Sequence, residues 1–170
     1  MSDGNSENVW NAVEMSQLVD MVNPSVARAL HGAGWFEGRV ADVSGWVRSL
    51  EGAGFELNDL ALRVWREFGE LTITSSESRV PASSLLIDPK DACIDAVDEA
   101  SKLSQEFGEN YSPLGMWSIQ FRSYISAGGR VVAIGLLDMR ELGLSFSEAV
   151  DYVVNGDSGG SCWQQADWLA

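Results

Sequence analysis

The sequence predicts an α+β fold, on three observations. Apolar residues recur at helical spacing through the first half. Short β-branched and aromatic segments separated by glycine turns fill the second half. A helix pattern with its own capping box, S-F-S-E at Ser145–Glu148, follows those strands. Helices first, then strands with interspersed helices, argue against a doubly wound parallel sheet.

The elements follow in order. Val9, Val13, Leu18, Met21 and Val22 keep helical spacing from Glu7 to Val22. Ser25 is placed to cap a second helix, VARALHGAG, which Gly32 or Gly34 ends. Trp35 to Val43 reads as an extended link. Ser44 can cap GWVRSLEGAG, with Trp46, Val47 and Leu50 on one face. Asn58 caps DLALRVWREFG, where Leu60, Val64, Trp65 and Phe68 form one apolar stripe, and Gly69 ends it. The β-branched LTITS follows as a strand. RVPASSLLIDP is a second extended segment, with Pro81 marking an edge or loop entry.

Asp88-Pro89 starts one helix that runs to Gly108. Its apolar face is Cys93, Val97, Ala100, Leu103 and Phe107, and the rest, with Asp91, Asp95, Asp98 and Glu99, is a solvated acidic surface. SPLGMWSIQF and YISAGGRVVAIGLL read as short strands, with a hairpin turn at Gly128-Gly129. The last helix is FSEAVDYVVNG, ended by Gly156. The tail is loose in composition. Its Trp163 and Trp168, in polar company, are expected to be exposed or to dock on a neighbour, whereas Trp35, Trp46 and Trp65 are expected in the core.

Composition narrows the function classes. At 170 residues and 45% hydrophobic, the chain suits one domain, residues 1–170, with a sizeable core. No apolar run approaches the roughly 20 residues that span a bilayer. The start, MSDGNSENVW, lacks the positive and apolar regions of a secretory signal, so a cytoplasmic location is expected. Two cysteines, Cys93 and Cys162, and one histidine, His31, give no disulfide framework and no four-ligand zinc site, and no cofactor is expected. Net charge is -14, which repels nucleic acid and anionic membranes. It serves solubility, or steers the chain toward a basic partner.

Six motifs in order resemble one family. They are AGW-x-x-GR at Ala33–Arg39, VSGWVRSLEGAGF, REFGEL-x-I, IDP-x-x-A at Ile87–Ala92, PLG at Pro113–Gly115, and GRVVAIG followed by LGLSFSEAVDYVVNG. Together they resemble the SUKH superfamily, in particular its third immunity-protein branch, from about Ala33 to Gly156. Met1–Asn23 and the tail after Gly156 lie outside the resemblance. So does Glu70: the family usually shows two glycines before the leucine where this chain has Gly69-Glu70. A glutamate would be strained there if the position needs a positive φ.

The resemblance implies N-terminal helices packed on a twisted, mostly antiparallel sheet with additional flanking helices. It also implies a non-enzymatic role. Bacterial members resemble immunity proteins of polymorphic toxin systems that bind a cognate toxin, often a nuclease or deaminase, inside the cell. Eukaryotic relatives resemble scaffolds of cell-wall regulation, so the alternative is a regulatory module with an endogenous partner.

One motif points elsewhere. Gly156–Gly160, GDSGG, reproduces the loop around the nucleophile of trypsin-like serine proteases, and the order His31, an aspartate, Ser158 fits them. Yet the first half is helical, His31 sits in ARALHGAG, and only 12 residues follow Ser158. The segment reads as a glycine-serine exit from the last helix. Cys93 lies on an apolar helix face and reads as core. The Asp98-Glu99 pair reads as exposed, with nothing to raise its pKa.

The expected partner is therefore a toxin with a basic surface, neutralised by stoichiometric, non-covalent binding. The expected contact residues are Trp117, Gln120, Arg122 and Tyr124 on the second-half strands, with Asp138 and Glu141 in the loop after them. Strand alternation is what would turn those polar and aromatic groups outward.

Overall fold

The structure, a computed structural model, describes residues 18–156 and 162–170. Most of the helix expected from Glu7 lies outside these residues; its last part, 18–22, is bends and turns. Helix α1 is Pro24–Ala33, and Asn23, not Ser25, caps it. The Asn23 side chain accepts from the Ser25 amide at 3.1 Å and from its hydroxyl at 2.7 Å. Pro24 then occupies the first helical position, where a missing N–H costs nothing. Helix α2 is Ser44–Ala53. Ser44 is its first residue rather than its cap, and the Asp42 carboxylate accepts the Ser44 N–H at 3.0 Å. Helix α3 is Asp59–Phe68, capped by Asn58 as expected.

The expected helix from Asp88 to Gly108 is two. Helix α4 is Pro89–Cys93 and α5 is Val97–Phe107, with Asp88 capping the first. No glycine or proline marks the break, so the sequence carries no signal for it. The break lets α4 lie on the sheet with Cys93 fully buried, while α5 turns Ala100 and Leu103 inward on its own axis.

Seven strands form one sheet in chain order, every neighbour antiparallel. They are β1 Thr72–Thr74, β2 Ser84–Leu86, β3 Tyr111–Trp117, β4 Phe121–Ser126, β5 Val131–Ile134, β6 Asp138–Gly143 and β7 Gln164–Gln165. SPLGMWSIQF is thus not one strand. The chain reverses at Ser118-Ile119, both at positive φ (50° and 67°), with neither glycine nor asparagine to announce the turn. The β4–β5 hairpin at Gly128-Gly129 is where the sequence put it.

Register sorts the two faces. One row runs Thr72, Leu86, Met116, Arg122, Ile134, Met139 across six strands. The adjacent row, Ile73, Leu85, Trp117, Phe121, points to the other side. Helices α4 and α5 lie on the Arg122 side, where Glu99 of α5 bonds Arg122 and Tyr124. Helix α6, Phe146–Asn155, lies on the Trp117 side, with the Tyr152 ring 6.0 Å from Trp117, and α1 packs behind it. One arm of its capping box forms, the Ser145 hydroxyl accepting from the Glu148 amide at 3.1 Å, while the Glu148 carboxylate reaches one residue further back and accepts from the Leu144 N–H at 2.9 Å.

The tail is not loose where it is described. Trp163 packs 4.8 Å from Phe121 and 6.1 Å from Trp117. The chain then pairs with β6 as β7 and crosses the sheet edge, and Trp168 meets Phe107 of α5 at 5.8 Å. Lys102 on α5 donates to the Leu169 and Ala170 carbonyls at 2.9 and 3.0 Å. Both tryptophans therefore dock on their own fold, one on each face.

The Trp-rich block explains its own spacing. Trp65 is fully buried, donates its indole N–H to the Pro113 carbonyl at 3.0 Å and meets Trp46 edge-on at 6.2 Å. Trp46 itself is half-buried. Trp35 donates to the Glu67 carboxylate at 3.1 Å. Arg39 donates to the Glu67 and Gly69 carbonyls at 2.8 and 2.7 Å, so its charge meets the negative end of α3. Gly69 leaves no room for a Cβ, which would strike the Trp65 carbonyl oxygen and sit 3.0 Å from the Trp46 ring. Glu70 then takes φ 67°, a left-handed conformation strained for any residue with a Cβ.

Candidate partner-binding surface

The six expected contact residues split. Gln120 and Arg122 are exposed. Trp117 and Tyr124 are buried, at 6% and 0% exposure, so the expected outward alternation fails for them. The reason is that both faces of the sheet carry helices at those positions: α6 covers Trp117 and α4–α5 cover Tyr124. Asp138 and Glu141 lie in β6, not in a loop, and are half-buried. Glu141 accepts from Arg130 Nε at 2.5 Å, a structural ion pair.

Arg122 and Tyr124 are joined through α5. Glu99 Oε1 and Oε2 accept from Arg122 Nε and Nη2, both at 2.8 Å, and Oε1 also accepts the Tyr124 hydroxyl at 2.8 Å. A planar guanidinium matched to a carboxylate is the strong form of such a pair. The Glu99 side chain is only 16% exposed, so of the Asp98-Glu99 pair only Asp98 is on the solvated face. Burial, with the Glu99 charge beside it, pushes the Tyr124 phenol up. The bonds to Glu99 hold Arg122 charged. Burial also pushes the Cys93 thiol up to about 12, which leaves no thiolate at neutral pH and makes it core.

Around this network lies a concave surface on the α5 face. One part is lined by Thr72, Leu86, Met116, Ile119 and Gln120, the other by Asp95, Asp98, Glu99, Lys102 and Leu136; Asp91, Ala92 and Arg122 line both. Helices α4 and α5 cover the sheet beyond Arg122 but leave Leu86 and Met116 half-exposed. The tips of two neighbouring hairpins raise Ile119 and Leu136 at the same end, 83% and 94% exposed. Asp91, Asp95 and Asp98 point to solvent on α4–α5, and none accepts from a basic side chain among the described residues. The two cations of this surface are engaged, Arg122 by Glu99 and Lys102 by the C-terminal carbonyls. The result is an apolar floor with an acidic wall.

Sequence reasoning found the acidic wall but missed the floor. W-S-I-Q and G-L-L-D carry no turn signature, so Ile119 and Leu136 read as strand interior.

The chemistry candidates resolve differently. His31 is exposed, its ring 5.5 Å from Trp35, at the end of α1. Asp157, Ser158, Gly159 and Gly160 lie outside the described residues. Among the described residues no group of histidine, cysteine, aspartate or glutamate is arranged to hold a metal ion, and no helix is long and apolar enough to cross a membrane.

The fold and this surface define an α+β protein with an exposed groove on one face of its sheet. A family model described as the SUKH-3 immunity protein matches residues 22–156. The chain belongs to that immunity-protein family. The match begins upstream of the AGW motif, so α1 is part of the family's unit. No curated protein and no solved structure is a significant match.

Proposed function

We propose that this chain neutralises a cognate toxin as a non-catalytic, stoichiometric inhibitor, and that the toxin is a nuclease or another enzyme acting on nucleic acid. Family membership makes a toxin the class of partner. The observation that carries the finer reading is charge: -14 overall, with three solvent-facing aspartates, Asp91, Asp95 and Asp98, lining one concave surface. An enzyme that grips phosphate must present cations, and an acidic surface competes for that same field. Association is then fast and salt-sensitive, and buried anchors set the slow dissociation. Of the expected contact residues, Gln120 and Arg122 are exposed on this surface, Arg122 with its guanidinium held by Glu99. Tyr124 supports the surface from beneath through Glu99, Glu141 is held by Arg130, and Trp117 and Asp138 face the α6 side of the sheet.

The test is co-expression with the product of the reading frame adjoining this chain's gene. Restored growth and a purifiable 1:1 complex are the expected result. A harmless neighbour, or a toxic one that this chain fails to silence, contradicts the proposal and favours a regulatory module with an endogenous partner.

A further inference from the structure

We infer that the toxin is held in the groove on the α5 face, and that the element filling it is a basic segment bearing an apolar side chain. The inference rests on the immunity reading above and assigns the place and chemistry of contact. The apolar part enters beside Ile119 onto Leu86 and Met116, and Leu136 flanks the acidic part of the groove. Flanking lysines or arginines meet Asp91, Asp95 and Asp98.

Three observations select this groove. Exposed aliphatic side chains at two adjacent hairpin tips cost solubility when free and gain when covered, as an interface centre does. The acids beside them have no cation of their own, because Arg122 and Lys102 are engaged. The other large cleft has the opposite sign. On the α6 face, Trp117, Phe121 and Tyr152 wall a cleft with Arg79 and Arg140, and Arg140 lies 5.6 Å and 5.3 Å from the Trp117 and Tyr152 rings. Two arginines there repel a basic element, so charge alone sends such a partner to the α5 face.

The groove also has a rigid frame. Glu99 holds Arg122 by two 2.8 Å bonds across its middle, so the floor is ordered before the partner arrives. Preorganisation of this kind lowers the entropy cost of binding.

The test measures association and dissociation rates against an inactivated form of the neighbouring gene product. Two sets of substitutions are compared with the unaltered chain. Asp91→Asn, Asp95→Asn and Asp98→Asn together should slow association about 10-fold at low salt and flatten its salt dependence. Glu37→Gln, Glu51→Gln and Glu56→Gln remove the same charge from exposed sites elsewhere and should leave most of the rate intact. Ile119→Asp with Leu136→Asp should speed dissociation about 10- to 100-fold. All these side chains are exposed, and circular dichroism with the unfolding midpoint verifies the fold. Protection of the amides of residues 116–122 and 136 in the unaltered complex supplies a reading independent of any variant. If the unaltered chain binds while both groove sets behave like it, the groove is wrong and the immunity reading stands. If the unaltered chain does not bind, the immunity reading fails and takes the groove with it.

Discussion

The Trp-rich block of residues 33–73 and the hairpin end of the α5 face use apolar side chains for opposite purposes. In the block, Trp35, Trp65 and Phe68 are buried, their polar atoms are bonded, and Gly69 closes the last gap. At the hairpin end, Ile119 and Leu136 stand in solvent and bond nothing. The first arrangement is finished within the chain; the second is complete only against something else. The difference teaches where to look in a family recognised by its motifs. Most motif residues build the scaffold, so family membership speaks to architecture more than to partner choice.

The comparison is broken most directly by mutation. Trp65→Ala removes a fully buried indole and leaves the Pro113 carbonyl without its donor, and should cost about 3–5 kcal/mol in urea unfolding. Leu136→Asp should change the same measurement by no more than about 0.5 kcal/mol, because its site is exposed, and Ile119→Asp should not lower it by more than that, since aspartate tolerates the positive φ of 67° better than isoleucine. Equal costs at the two places would erase the distinction.

The network beneath the groove is expected to rank between them. Glu99→Ala leaves the buried Tyr124 hydroxyl without an acceptor and frees Arg122, at a cost of about 1–3 kcal/mol. The block contains two small reserves as well. Burial raises the Glu67 carboxyl above its ordinary 4.5, against the Trp35 bond that lowers it, and one of its oxygens has no partner. The folded chain then holds a proton that the unfolded chain has lost, so stability falls as pH rises through the window above 4.5. Glu67→Gln keeps an acceptor for Trp35 and should stabilise the protein at neutral pH. The gain should shrink as pH falls through about 4 and vanish below it, where the carboxyl becomes protonated in both states. Glu70→Gly, last in size, relieves the positive φ but loosens the unfolded chain; a gain of about 1 kcal/mol or less is expected.

Much of the scaffold was legible in the sequence. The Asn58 cap, the Leu60–Phe68 stripe and the Gly128-Gly129 hairpin are local signals that formed as read, and the Ser145–Glu148 box formed with its return bond moved to Leu144. What escaped depends on long-range packing. The break between α4 and α5 answers to the sheet beneath, and the Ser118-Ile119 turn is imposed on residues that do not favour it. Trp163 and Trp168 look unpartnered in a polar tail because their partners, Phe121 and Phe107, lie far away in sequence. Burial of Trp117 and Tyr124 has the same origin: alternation gives a side chain's face, but not whether a helix covers it.

Amide hydrogen exchange of the chain, alone and with the inactivated neighbouring gene product, tests the central claim most directly. Slowed exchange at residues 91–98, 116–122 and 135–137, with residues 44–68 unchanged, is the predicted result. Protection confined to the block of residues 33–73, or to the Arg79–Arg140 cleft, would contradict it.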